Sequence, residues 1–98
     1  MNYLELKYKG KTYKNTKQIL GILKEEHLHW LIDSEVSNAI IEITNNTLIW
    51  HEGTFMSGNW HYGIFKNGKF YGNWENGIFE NGFFSGKWKS GINLSKNN

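Results

Sequence analysis

Residues 53 to 92 read GTFMSGNWHYGIFKNGKFYGNWENGIFENGFFSGKWKSGI, and glycine returns in this stretch every four or five positions. An aromatic side chain stands two residues after each glycine of the series except Gly91, where Asn93 takes its place. Internal self-similarity at a fixed period predicts a repeat architecture. The unit Gly-x-aromatic-x-x is therefore the basis for predicting the fold.

Three of these units make a longer repeat of 14 residues. The residues that recur at this longer spacing are Trp60, Trp74 and Trp88, and likewise Ile64, Ile78 and Ile92. A parallel β-solenoid with three short sides per turn stacks each residue on its equivalent in the turn before, so that equivalent residues keep equivalent surroundings. A meander of β-hairpins is the alternative, because Asn-Gly pairs such as Asn67-Gly68 form two-residue hairpin turns. We predict a mainly β fold and favour the three-sided solenoid, in which the Asn-Gly pairs would be corners.

Side chains alternate between the two faces of a strand, so the aromatic of each unit should point inward and its two neighbours outward. The register begins within residues 47–52, because Trp50 lies five residues before Phe55. The predicted inward columns are Phe55/Phe70/Phe84, Trp60/Trp74/Trp88 and Trp50/Phe65/Phe79/Asn93.

The first 46 residues lack the repeat and predict a small α+β element that caps one end of the solenoid. A hairpin is expected over residues 3–8 and 11–14, with its turn at Lys9-Gly10, followed by a helix over 16–26 with Asn15 or Thr16 as its N-cap. Residues 27–32 fit either a continued helix or a strand, and strands are expected over 36–43 and 47–51. The domain prediction is a cap at 1–46, a repeat region at 47–95 and a polar tail at 96–98, all within one compact domain.

The composition and motifs argue against catalysis and against a cofactor. The chain has no cysteine, and its four histidines have no partners at a spacing typical of a zinc site, so no metal site is expected. The glycines lack the Lys-Ser/Thr that completes a phosphate-binding loop, and no nucleophile signature surrounds Ser34. The net charge of +2 and the absence of arginine do not favour nucleic-acid binding. We expect a non-enzymatic protein in the cytoplasm of a bacterial host, without a membrane span or a signal peptide.

The outward positions of the repeat are the candidate binding residues. Isoleucines would line one outer face, aromatic residues a neighbouring face, and a histidine and a tyrosine would lie near a corner. The residues predicted to bind a partner are Ile64, Ile78, Ile92, Tyr62, Tyr71, Phe83 and His61. A row of exposed apolar residues is unusual on a monomer, so a protein partner is expected; a homo-oligomer, or coverage by the N-terminal element, remains open.

The repeat, about half of the chain, resembles two groups of proteins. It distantly resembles pentapeptide-repeat proteins, which form four-sided solenoids and whose spacing is kept in Gly53-x-Phe55 and Gly58-x-Trp60. It departs from them in using glycine and aromatics and in having units of four residues. It is also similar to uncharacterised bacteriophage and prophage proteins with short Gly-Trp/Phe repeats such as GNWENGIFENG, residues 72–82. Small phage proteins often inhibit host defences by stoichiometric binding, so this resemblance implies an anti-CRISPR-like or other anti-defence protein.

The function predicted from the sequence is a non-catalytic protein-interaction module that acts through the surface of the repeat. The resemblance to phage proteins implies a phage-encoded inhibitor of a bacterial defence complex. Two alternatives remain open. One is a carbohydrate or small-ligand binding module that uses exposed aromatics. The other is a self-assembling virion component.

Overall fold

Twelve strands and two helices, most of them short, make up residues 2–95, the part of the chain that the computed structural model describes. The predicted polar tail at 96–98 lies outside this range. The elements are β1 (Tyr3–Tyr8), β2 (Lys11–Tyr13), α1 (Thr16–Glu25), α2 (His29–Ile32), β3 (Glu35–Thr44), β4 (Thr47–Ser57), β5 (Asn59–Trp60), β6 (Ile64–Phe65), β7 (Lys69–Phe70), β8 (Asn73–Trp74), β9 (Ile78–Phe79), β10 (Phe83–Phe84), β11 (Lys87–Trp88) and β12 (Ile92–Asn93).

The repeat forms a three-sided parallel β-solenoid, as the 14-residue period predicted. Side A is built from the first half of β4 with β6, β9 and β12; side B from the second half of β4 with β7 and β10; and side C from β5, β8 and β11. Every pairing from turn to turn is parallel, for example Trp60 beside Trp74 and Trp74 beside Trp88. A hairpin meander requires antiparallel pairs, so that alternative is wrong.

The predicted inward columns are the three columns of the core. Rings stack face to face between successive turns: the Phe65 and Phe79 centroids are 5.0 Å apart with an interplanar angle of 8°. Within one turn the rings meet edge to face, as Trp60 and Phe65 do at 5.7 Å and 77°. Both arrangements are favourable for aromatic quadrupoles. Edge-to-face contact also lets three large rings share each layer of a narrow coil.

The corners of the coil depend on glycine, and the Asn-Gly pairs lie at corners as the solenoid prediction required. Gly68 follows Asn67 with φ +126°, a conformation that side chains with a Cβ rarely adopt. A Cβ there would also lie 2.2 Å from the carbonyl oxygen of Gly53 in the turn above. The strands of neighbouring turns can approach closely at the corners because glycine has no side chain.

The N-terminal element closes the first turn of the solenoid. Strand β3 runs antiparallel along the whole of β4, with Ile41 opposite Trp50 on side A and Val36 opposite Phe55 on side B. It bends around the corner near Asn38, whose φ is +54°. Helix α2 covers side C, where Trp30 meets Trp60 edge to face at 5.2 Å. The sequence pattern did not decide between helix and strand for residues 27–32. Residues His29–Ile32 form helix α2, and this helix covers side C.

The remaining N-terminal elements follow the predicted pattern closely. β1 and β2 form the expected antiparallel hairpin, and β1 pairs in parallel with β3. α1 lies within the helix predicted over 16–26 and buries Ile19 and Leu23. β4 is longer than the predicted strand at 47–51, because it continues through the bend at Gly53 to form two sides of the coil.

The N-cap of α1, Asn15, can be tested by substitution. The N–H of Gln18 donates to Oδ1 of Asn15 at 3.1 Å, which satisfies one of the helix's unpaired first-turn donors. We expect Asn15→Ala to lower the free energy of unfolding by about 1 kcal/mol, measured by urea denaturation. Lys17→Ala, at an exposed position in the same turn, is the matched control and should change stability little; equal losses would contradict the capping role.

Candidate functional site

Exposed apolar side chains are concentrated on the repeat. Among residues 2–95, eight large hydrophobic side chains are exposed, and Leu4 is the one that precedes the repeat region. The others are Met56, Tyr62, Tyr71, Phe83, Trp88, Ile92 and Leu94. A concentration of this kind on one part of a molecule marks a candidate interaction surface.

Side B carries the clearest aromatic surface. Tyr71 follows the inward Phe70 in β7, and Phe83 precedes the inward Phe84 in β10, so both point outward. Their exposed fractions are 45% and 53%, and their ring centroids are 5.8 Å apart. Met56 lies on the same side, one turn above. The structure therefore brings together two of the predicted partner-binding residues as one exposed aromatic pair.

A shallow groove adjoins this pair at the corner between sides A and B. Its volume is about 360 Å³, and it is lined by residues of three successive turns, including Gly53, Lys69 and Phe83. On its rim the side-chain amide of Asn67 donates to Oε2 of Glu52 at 3.2 Å. The groove thus combines an aromatic wall with a lysine and a fixed amide-carboxylate pair.

The predicted isoleucine column exists, but its exposure is uneven. Ile64, Ile78 and Ile92 stand in register on side A, and the structure adds Ile49 above them. Ile64 and Ile78 are half-buried, whereas Ile92 in the last turn is exposed. The column therefore offers a partner less apolar surface than its sequence spacing suggests.

His61 and Tyr62 lie at the corner between sides C and A, where they contact the N-terminal element. The His61 ring stacks on Trp30 with centroids 5.6 Å apart and an interplanar angle of 6°, and Tyr62 meets Trp30 edge to face at 5.6 Å. A cavity of about 260 Å³ beside them is lined partly by Asp33 and Ser34. Ser34 is buried, and its hydroxyl donates to the Trp30 carbonyl at 2.6 Å. His61 and Tyr62 are thus part of the packing of α2 on the coil as well as being exposed.

The titratable groups of the N-terminal half form isolated contacts. Nε2 of His51 lies 2.8 Å from Oε1 of Glu42 on the neighbouring strand. The hydrogen bond that Tyr8 donates to Glu26 raises the pKa of the Tyr8 phenol, and burial raises the pKa of Tyr3. Within residues 2–95, no group of three or more histidine or acidic side chains is placed to hold a metal ion. These contacts fit structural roles.

Sequence reasoning missed the exposure of the last turn. Trp88 was assigned to an inward column and does point inward, yet it is 36% exposed because no further turn within residues 2–95 covers it. Leu94 is also exposed there. The signal that marks this end is Asn93, the polar residue at an inward position that interrupts the aromatic series.

Comparison with known proteins gives no family assignment. No family model matches the chain, and no curated protein or solved structure is significantly similar to it. No helix within residues 2–95 is long and apolar enough to cross a membrane.

Proposed function

We propose that the protein is a non-catalytic interaction module that binds a protein partner through side B of its solenoid. The observation that carries the proposal is the exposed pair of Tyr71 and Phe83, whose ring centroids are 5.8 Å apart. Tyrosine and other aromatic anchors supply a large share of the energy at protein interfaces, because they bury much apolar area at little cost in conformational entropy.

The surroundings of the pair support this proposal. The adjoining groove carries Lys69, which gives the aromatic surface a polar rim of the kind that interfaces have. The rings are also held on a rigid support, since the strands beneath them belong to the stacked core. A preformed surface lowers the entropy lost on binding.

The alternative of carbohydrate or small-ligand binding finds less support. Stacking on a ligand requires accessible rings, and Trp50, Trp60 and Trp74 are fully buried in the core. Ligand binding would have to depend on the exposed tyrosines, on Phe83 and on Trp88 of the last turn. The observations favour a broad protein surface over a ligand pocket.

The resemblance to phage proteins makes a bacterial defence complex the first class of partner to test. Stoichiometric inhibition needs only a tight interface and no chemistry, which agrees with a surface built from packed rings. The inhibitor role and the bacterial cytoplasm as its location are part of this proposal.

The proposal is tested with the double variant Tyr71→Ser/Phe83→Ser. Because both side chains are exposed, we expect the free energy of unfolding to change by only about 0.5 kcal/mol. Loss of two aromatic anchors should weaken partner binding by at least about 2 kcal/mol, roughly 30-fold in Kd. The tagged protein is used to capture partners from bacterial lysates, and the affinity of each captured protein is then measured by calorimetry.

The matched control is Lys87→Ser, which changes an exposed lysine of β11 on side C, outside the proposed surface, without removing an aromatic. A partner that binds the wild type and this control, but binds the double variant much more weakly, supports the proposal. A partner that binds all three equally would remove side B from consideration. Failure to capture any protein would argue against an interaction module.

A further inference from the structure

The charged side chains of the protein are distributed unevenly. Between Glu5 and Glu25 every charged residue is a lysine, so this short stretch contains six of the eleven basic residues and no acidic one. The six lysines, all of them exposed, are Lys7, Lys9, Lys11, Lys14, Lys17 and Lys24. The net charge of +2 therefore hides a strongly basic element, which is made of β1, β2 and α1.

Three of these lysines surround one groove, which we call the hairpin groove. β1 and β3 run parallel and end side by side, so the β1–β2 turn and the β3–β4 turn lie next to each other. The hairpin groove lies between these turns and has a volume of about 430 Å³. Its walls carry Lys7, Lys9 and Lys11, together with polar residues such as Thr12 and Asn45. Cations that converge on one concave surface give it a positive potential.

Contacts within the molecule do not neutralise this potential. No carboxylate within residues 2–95 forms an ion pair with any of the three lysines. Glu42, opposite Lys7 on β3, also lines the hairpin groove, but its Oε1 lies 2.8 Å from Nε2 of His51 on β4. Nζ of Lys9 lies 5.2 Å from the centroid of the Tyr8 ring, a contact that holds the ammonium group without cancelling its charge. The hairpin groove therefore keeps a net positive charge.

Protection of a sheet edge does not account for the lysines. Lysine on an edge strand can block pairing with another sheet, and β2 is the edge strand of the sheet. That role requires lysines on β2 itself, as Lys11 is. Lys7 lies on β1, Lys9 in the turn and Lys17 in α1. A cluster that continues beyond the edge strand fits a surface that binds an extended anion.

We propose that the basic element binds the phosphate backbone of double-stranded nucleic acid without selecting a sequence. An ammonium group contacts a phosphate as a point charge, and the counterions released from the duplex supply the binding free energy. Such contacts position a protein on the duplex but do not distinguish one base pair from another. The lack of arginine argues against base reading, but phosphate binding requires only that cations be concentrated on one surface. None of the residues involved belongs to side B, so the inference does not depend on the proposed protein partner.

The lack of exposed apolar side chains on the basic element favours a duplex over other anionic partners. Within residues 5–26 no large hydrophobic side chain is exposed. A membrane-binding surface would add apolar groups that enter the lipid, and a protein interface would add aromatic anchors. A surface for single strands would add exposed rings on which bases stack. The backbone of a duplex requires none of these, because charge and hydrogen bonds are sufficient to hold it.

Fluorescence anisotropy of a labelled DNA duplex of mixed sequence, titrated with the full chain, tests the inference. With a duplex of about 20 base pairs we expect a Kd of about 1–100 µM at about 50 mM salt. The logarithm of the association constant should fall linearly with the logarithm of the salt concentration. The slope should lie between about −3 and −4.5, because roughly three to five lysines replace counterions. A duplex of unrelated sequence should bind within about twofold, and a single strand of the same length should bind more weakly.

Two double variants with the same change in net charge separate the position of the charge from its total. Lys9→Glu/Lys11→Glu reverses two charges of the hairpin groove. Lys87→Glu/Lys89→Glu reverses two exposed lysines on either side of Trp88, on side C. The first variant should weaken duplex binding at least about tenfold, and the second less than about threefold. Circular dichroism checks that each variant folds.

Several results would overturn the inference. These are no saturable binding at about 50 mM salt, a slope near zero, equal losses in the two double variants, and stronger binding to vesicles of phosphatidylserine and phosphatidylcholine, or to polyglutamate, than to the duplex. The last result would assign the surface to a membrane or to an acidic protein. If Lys9→Glu/Lys11→Glu does not fold, the single variant Lys11→Gln decides. It should reduce the slope by about 1, with Lys89→Gln as its control, and an unchanged slope would refute the phosphate contact.

Discussion

Trp74→Ala is expected to remove most of the stability of this protein. Trp74 is fully buried and stacks between Trp60 at 5.1 Å and Trp88 at 5.2 Å, with Phe70 edge-on at 5.4 Å. Deleting the indole leaves a cavity that stacked strands of fixed spacing cannot close. Such losses cost about 3–5 kcal/mol, against about 5–15 kcal/mol for a whole domain. Guanidinium denaturation followed by far-ultraviolet circular dichroism measures the loss.

Trp88→Ala is the matched control, because it removes the same side chain from the same column one turn later. Trp88 is covered by a tryptophan on one face only, so its loss should cost about half as much, roughly 1.5–2.5 kcal/mol. Both variants are compared with the wild type at the same protein concentration. Equal losses at the two positions would show that stacking from both faces is not what stabilises the coil.

Gly77→Ala is expected to destabilise the protein by about 3 kcal/mol, the second-largest of the effects we predict. Gly77 has φ +119°, a region nearly reserved for glycine, and holding an alanine in that region costs about 1–3 kcal/mol. An added Cβ would also lie 2.5 Å from the carbonyl oxygen of Gly63 in the turn above. That oxygen accepts the hydrogen bond of the Ile78 N–H at 2.9 Å. Relieving the clash therefore breaks the parallel ladder, and the midpoint of thermal unfolding should fall steeply.

Alanine substitutions at two other glycines distinguish the effect of the steric clash on stability from the effect of the backbone conformation. Gly10 has φ +77° in the β1–β2 turn, but its Cβ would meet nothing within 4 Å, so Gly10→Ala should cost only about 1–2 kcal/mol. Gly21 lies in α1 with open space around it, and Gly21→Ala should stabilise by about 0.5–1 kcal/mol. If Gly77→Ala cost no more than Gly10→Ala, close approach at the corner would not be a requirement of this fold.

The candidate surface was only partly predictable from the sequence. Strand alternation places Tyr71, Phe83 and Ile64 on outer faces, and they do lie there. How far each is exposed depends on its neighbours in space. Ile64 is half-buried, and Tyr62 packs against Trp30, which comes 32 residues earlier in the chain, in helix α2. A repeat indicates which way a side chain points, but it carries no information on contacts with elements outside it.

The sequence by itself determined the 14-residue period, the residues that face inward and the glycine positions at which the chain can turn. Those features are local, because each depends on strand alternation and on the φ angles that glycine allows. It favoured the parallel coil without deciding it, since an Asn-Gly pair satisfies the backbone of a hairpin turn and of a corner equally well. Only the tertiary structure decided that Phe65 stacks on Phe79 in the next turn, that α2 and β3 close the first turn, and that Trp88 is left partly uncovered. These outcomes depend on which strand edges find a partner, and that is settled when distant segments pack together.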